Sequence, residues 1–312
     1  MNILILLIRR AFSAFLTLAL TITVSFFLMR LAPGGPFDQE RRLPAEVMAN
    51  LKQKFHLDKS LIEQFWIYVK GLTRGDFGPS MIYSDFSVSD LVFQGLWASM
   101  QIGLAAIGVS LVLGVLLGAL AAVRMGGWLD QTLMAFSLAG IAIPTFILAP
   151  LMSLVLAVHL KWFAVAGWGD GGFYYLTLPV VALAIPQIGI IARLMRGSMA
   201  DVLTQMHIRT AHAKGQHPLL VVSNHAFRQS LFPVISYLGP AMAAILTGSV
   251  VIERVFAIEG LGRHFVQGAL DRDYPLVMGT VIVYTTFIML FNFVADLLYV
   301  LIDPRIRETG NE

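Results

Sequence analysis

Long apolar runs separated by short polar connections dominate the chain. Six of them, at residues 11–31, 96–123, 131–160, 174–191, 234–252 and 276–302, are almost free of charge. Each approaches or exceeds the roughly 20 helical residues needed to cross a hydrocarbon core. The pattern predicts an all-α integral membrane protein with six transmembrane helices. The first run follows Arg9 and Arg10, is too long for a signal peptide and has no small-residue cleavage site, so it reads as an uncleaved anchor. In the second, Gly114 and Gly118 have the GxxxG spacing that lets another helix approach closely. The third contains Pro144 and Pro150, and the fourth Pro179 and Pro186. Proline interrupts the helical ladder, so kinks are expected in the third run.

Between the first and second runs, residues 32–95 have ordinary polarity and form a small extramembrane insert. Residues 43–57 and 61–72 look like amphipathic helices, with Pro44 near the first start and Asp58 as the cap before the second. The organisation read from the sequence is therefore an N-terminus with the first span at 1–31, an insert at 32–95, a transmembrane domain at 96–305 and a tail at 306–312.

Composition agrees with this reading. Of 312 residues 57% are hydrophobic and only 13% charged, against about 25% charged in an ordinary soluble domain. The formal net charge of +3 comes with no basic run interleaved with aromatics, so nucleic acid is not an expected partner. With no cysteine there can be no disulfide, thiolate metal site or cysteine nucleophile. The surplus cations instead give orientation: Arg9, Arg10, Arg124, Arg193, Arg196, Arg209, Lys214, Arg228, Arg305 and Arg307 gather on one side. By the positive-inside rule that side is the cytoplasm, both termini lie there, and the insert lies outside.

One connection is unusually polar. From Met206 to Pro233 the chain carries Arg209, Lys214, Arg228 and four histidines but no carboxylate. Residues 199–214 suit a helix, Gly215 supplies a left-handed stop, and Pro218 suits the first turn of a second short helix. Thr210, Ala211 and Ala213 before the stop are small enough for another surface to approach, as when a helix enters a groove. A solvated basic face marking the cytoplasm is the plainer alternative. Metal is not expected, because His207, His212 and His217 are five residues apart and scatter around a helix without a carboxylate or thiolate to assist.

These residues carry a resemblance. The string RTAHAKG, Arg209 to Gly215, is similar to the EAA loop of ABC importer permeases in the form used by the peptide and nickel permease family, with Ala211 and Gly215 at matching positions. RLAPGGPF after the first run, GDFGPS at Gly75 to Ser80, IARLMRGSM before the loop, EGLGRHFVQGALDRDYPLVMG before the last run and DLLYVLIDPRIR at its end resemble the B-type membrane subunit of oligopeptide importers. The resemblance implies a type I ABC importer permease fold and a cytoplasmic coupling loop at about 196–233, with Arg209, Thr210, Ala211, Ala213, Lys214 and Gly215 meeting an ATPase. It also implies an outer-loop motif of Gly260, Leu261, Gly262, Arg272, Asp273 and Tyr274, and a structural group of Asp296, Asp303, Pro304 and Arg305. The implied partners are a second, non-identical permease, two ATP-binding subunits, a periplasmic peptide-binding protein, the peptide itself and the bacterial inner membrane. Dipeptides, murein peptides, glutathione or nickel are the alternative cargoes within the same machinery.

The chemistry absent from the sequence points the same way. No G-x-x-x-x-G-K-[ST] loop is present to cradle phosphates, so ATP and magnesium are expected on partner subunits and no cofactor on this chain. No H-E-x-x-H or G-x-S-x-G motif supports a hydrolase, which makes the chain a transport subunit and not an enzyme. A secondary transporter or channel acting alone would place ionisable groups near the midplane, whereas Arg30, Glu253 and Asp296 fall toward the ends of their runs. The substrate path cannot be assigned residue by residue; Met242 and Thr247 are the only candidates.

Overall fold

A computed structural model describes residues 3–32, 37, 44–83, 85–169 and 172–302. Helices dominate it: α1 (Ile3–Leu31), α2 (Ala45–Lys54), α3 (Leu61–Leu72), α4 (Val88–Val123), α5 (Trp128–Ala142), α6 (Thr145–Met152), α7 (Phe173–Leu203), α8 (Met206–Ala213), α9 (Pro218–Val221), α10 (Phe227–Ser230), α11 (Phe232–Val255), α12 (Leu261–Leu270) and α13 (Tyr274–Ile302). Four helices are long and apolar enough to cross a membrane, at Ile8–Leu31, Val88–Val123, Phe173–Leu203 and Tyr274–Val294, and α5 with the segment after it makes a fifth if that bent pair is one span.

Proline explains the bent pair. Ile143 leaves the helical region, Pro144 caps α6, and the axis turns by 101° between Trp128–Ala142 and Thr145–His159. Pro150 then sits inside α6 and the chain widens into a π-helical segment, Ser153–His159, as expected where a ring displaces a backbone hydrogen bond. The expected kinks are present, and the first is a full break. In α7, by contrast, Pro179 and Pro186 lie inside one 31-residue helix that runs well beyond the apolar stretch ending at 191.

The chain divides into two compact units. The first consists mainly of residues 100–258, with 290–302. Its centre is α7, whose Ala182, Ala184, Ile191, Ala192, Met195 and Met199 are buried. α4 packs on this face at the GxxxG pair: a Cβ on Gly118 would lie 2.4 Å from the Ala192 carbonyl oxygen, and one on Gly114 2.7 Å from the Ile191 side chain. Both positions exclude side chains because the backbones touch. Ser110 of α4 adds a hydrogen bond to the Ala184 carbonyl at 3.2 Å.

The second unit consists of residues 3–99 and 259–289. Here α3 doubles back along the end of α1. Phe65 and Tyr68 pack against Phe26, Phe65 stacks on Phe27, and Arg30 Nε donates to Gln64 Oε1 at 2.9 Å with its guanidinium 3.6 Å above the Phe26 ring. Arg30 is thus hydrogen-bonded through Nε and stacked at the end of its span, although its buried Nη1 finds no acceptor among the described residues. α3 begins at Ser60, whose side chain and that of Glu63 form a reciprocal capping box; the cap is two residues later than Asp58.

Candidate functional site

The polar connection is built from the core outward. α7 ends at Leu203, where Thr204 Oγ1 turns back to the Asp201 carbonyl at 2.7 Å and Gln205 adopts an extended conformation. The helix expected over 199–214 is therefore two helices, because the chain must turn before α8 can lie across the end of the bundle. α8 is anchored by Ile208, 1% exposed, and Ala211, which join Met195, Met199, Val202, Val221, Ala226 and Val234 in one apolar cluster. Burying a side chain such as Ile208 contributes about 2 kcal/mol.

Ala211 therefore faces inward, which corrects its expected place on the approach surface. Arg209, Thr210, Ala213, Lys214 and Gly215 are exposed. The stop is a Schellman motif: Gly215 takes φ +77°, its N–H donates to the His212 carbonyl at 2.9 Å, and Gln216 N–H donates to the Ala211 carbonyl at 3.3 Å. Pro218 then opens α9, with His217 as its N-cap. Met206 is 75% exposed, Leu219 71% and Leu220 54%, so apolar side chains flank the basic turn on its solvent side. Sequence periodicity did not single out these three. They combine with Arg209 and Lys214 to give an apolar surface with a cationic rim.

The second unit brings two distant motifs together. Asp273 is fully buried, and its carboxylate accepts from the Ser80 hydroxyl, from Met81 N–H at 3.2 Å, from Ile82 N–H at 3.4 Å and from Leu276 N–H at 3.2 Å. Burial pushes its pKa up, and these hydrogen bonds oppose the shift. GDFGPS and DRDYP thus form one closed junction. Gly260 caps α12, Leu261 and Gly262 are buried, and Leu261 N–H donates to Ser99 Oγ at 2.9 Å, fixing the start of α12 on α4. Arg272 holds a left-handed φ of +56° beside Asp273, and the Tyr274 ring lies 5.7 Å from the Arg30 guanidinium. The outer-loop residues are therefore a packed assembly, with Asp273 at its centre.

Asp130 was not singled out from sequence. It is buried at the start of α5, accepts from Arg196 Nε at 3.1 Å and Nη2 at 2.7 Å, and takes Gly126 N–H at 2.9 Å. This bidentate pair ties α5 to α7 ten residues before α8, and of it the sequence motifs contained only Arg196, the second arginine of IARLMRGSM. Met242 is half-buried on α11; the side chains of Thr247 and Asp296 lie outside the described residues, as do Asp303, Pro304 and Arg305. Among the described residues no group of three or more His, Asp or Glu side chains could hold a metal ion.

Comparison with known proteins identifies the setting of these features. Residues 114–308 match the family described as the binding-protein-dependent transport system inner membrane component, and residues 3–83 match the N-terminal model for such membrane components. The chain is 48% identical to the oligopeptide transport system permease protein OppB of Haemophilus influenzae, over 96% of this chain and 98% of that one. It is 45% identical to OppB of Escherichia coli K12 over the same shares. To the dipeptide transport system permease protein DppB of Bacillus subtilis it is 43% identical, over 96% and 97%. Among solved structures, the inward-facing MetNI methionine ABC transporter aligns with TM-score 0.58 and 21% identity, over 68% of this chain and 96% of that one. An amino acid ABC transporter crystallised with histidines aligns with TM-score 0.52 and 16% identity, over 68% and 94%. These two show a shared fold. The chain belongs to the family of inner membrane components of binding-protein-dependent transport systems.

Proposed function

We propose that this chain is the membrane-spanning permease subunit of an ATP-driven importer of oligopeptides. The observation that carries the reading is 48% identity to an oligopeptide permease across 96% of the chain. The 43% identity to a dipeptide permease supports shorter peptides as the second reading. The transmembrane domain is a type I importer bundle of six spans, in which α5 with α6 is one span and α11 another. Both termini face the cytoplasm and the insert at 32–95 faces outward. A cysteine at Thr73, exposed just after α3, should then react with a membrane-impermeant reagent in intact cells; reaction only after lysis would reverse the orientation.

In this reading a periplasmic binding protein delivers peptide, and two ATP-binding subunits close on ATP and magnesium held by their own residues. Their motion reaches the membrane through the α8–α9 turn. Met206, Leu219 and Leu220 supply apolar contact, Arg209 and Lys214 supply charge at the rim, and the Schellman turn fixes the angle between the helices. Coupling requires these contacts to differ in strength between the two states of the permease, because equal affinity for both would shift nothing. A second, non-identical permease completes the pathway. The test is uptake of a labelled tetrapeptide into vesicles containing the assembled complex. ATP-dependent uptake is expected; uptake of nickel alone, or peptide uptake without ATP, would refute the assignment.

A further inference from the structure

We propose that α3 is an interfacial helix that seats Ile62 and Trp66 in the lipid leaflet at the C-terminal end of α1. The inference starts from depth. Helix α1 is a candidate span over Ile8–Leu31, and α3 packs on its last turns, with Gln64 at Arg30 and Tyr68 at Phe26. At 1.5 Å per residue, Phe26 lies about 7 Å inside the end of the span. The partners of Phe26 on α3 therefore lie at the boundary between acyl chains and headgroups. α3 descends there by packing, not by its own hydrophobic length, since 12 residues cannot cross a bilayer.

The face of α3 away from α1 matches this level. Ile62 is 65% exposed and Trp66 63%, one turn apart, while Val69 is half-buried beside them. At about 100° per residue these three fall within an arc of about 60°, contiguous with the half-buried arc of Phe65 and Leu72. Glu63 and Lys70 occupy the next edge, and Lys59 precedes the helix. One broad apolar side bordered by charged residues is the pattern of a helix lying in the interface plane. Tryptophan favours that level because its ring is apolar and its indole N–H is polar, and a lysine can reach lipid phosphate while its stem remains in the apolar layer. The occupant is lipid because the face is continuous with a candidate membrane span whose own Phe12, Phe15, Leu16, Leu20 and Leu28 are exposed.

The chain contains no native cysteine, so a single label can be placed cleanly. The full chain with Trp66→Cys, spin-labelled and reconstituted in phosphatidylethanolamine–phosphatidylglycerol vesicles, is compared with a label at Gln53, exposed on α2. We expect the label at position 66 to be several-fold more accessible to oxygen than to a water-soluble nickel chelate, and the label at 53 to show the reverse. Ile62→Cys repeats the measurement should Trp66→Cys misfold. Nickel accessibility equal to that at 53 would show an aqueous face and overturn the proposal. Exclusion of both reagents would show a protein partner in place of lipid, and overturn it equally. None of these outcomes depends on the transported substrate.

Discussion

The α8–α9 turn and the Ser80–Asp273 junction both place polar residues beside apolar helices, yet they dispose of those residues in opposite ways. At the turn, Ile208 and Ala211 face the core and leave Arg209, Lys214 and Gly215 in solvent. At the junction, the charged residue itself is buried and four donors converge on it. A buried carboxylate is tolerable only when its lone pairs are occupied, so the junction is a closed structural fastening. The turn leaves its side chains exposed. Charge near a membrane span is thus no guide to function until the direction of each side chain is known.

The largest effect that would break this contrast is at Asp273. Asp273→Ala strands the buried Ser80 hydroxyl and the Met81 and Leu276 N–H donors, and should destabilise the protein by about 3 kcal/mol. Asp273→Asn keeps an acceptor oxygen and should lose less. Thermal unfolding in detergent, alongside uptake per folded molecule, checks both; normal stability with abolished uptake would move Asp273 from fastening to pathway. Next in size is Ile208→Ala, which opens a cavity beneath α8 and should cost about 2–3 kcal/mol. Leu219→Ala, on the outer side of the same turn, should leave the melting temperature unchanged.

A smaller effect depends on pH. His264 on α12 is half-buried against α4, where a Cβ on Gly95 would come within 2.6 Å of its ring, and partial burial lowers its pKa below the usual 6.5. A folded-state pKa below the unfolded value contributes stability above about 6.5 that is lost as pH falls through the folded pKa. Melting temperature should therefore drop between about pH 7 and pH 5, and less so in His264→Gln. An equal drop in both would assign the acid sensitivity elsewhere. Smallest of all, Arg209→Ala and Lys214→Ala should each weaken ATPase association by about 1 kcal/mol or less, read as a modest fall in co-purified ATPase.

What the sequence revealed was local. Gly215 was legible because a left-handed stop followed by proline is written in adjacent residues, and Pro144 because a ring without an N–H disfavours continuing the helical ladder at that residue. Ser60 was legible too, since Glu63 three residues on completes a capping box, but Asp58 drew attention first. The break at Thr204 carries no glycine or proline to mark it; it follows from the need to seat Ile208 in the core. The pairing of Ser80 with Asp273 joins residues 193 apart, and that of Asp130 with Arg196 residues 66 apart. No periodicity reports such distances, so both clusters emerged only from the fold.

The central claim is that the exposed α8–α9 turn is where an ATPase docks, and Gly215→Leu tests it most directly. No atom lies within 4 Å of a Cβ at this position, so the first carbon of the new side chain meets open space. It penalises the left-handed turn by about 1 kcal/mol and adds bulk to the outer surface. The measurement is the ATPase recovered with an affinity-tagged permease from membranes, normalised to permease abundance. The account predicts normal permease abundance with most of the ATPase and peptide uptake lost. Wild-type ATPase recovery and uptake in Gly215→Leu would contradict it, and would leave the turn as a solvated basic face.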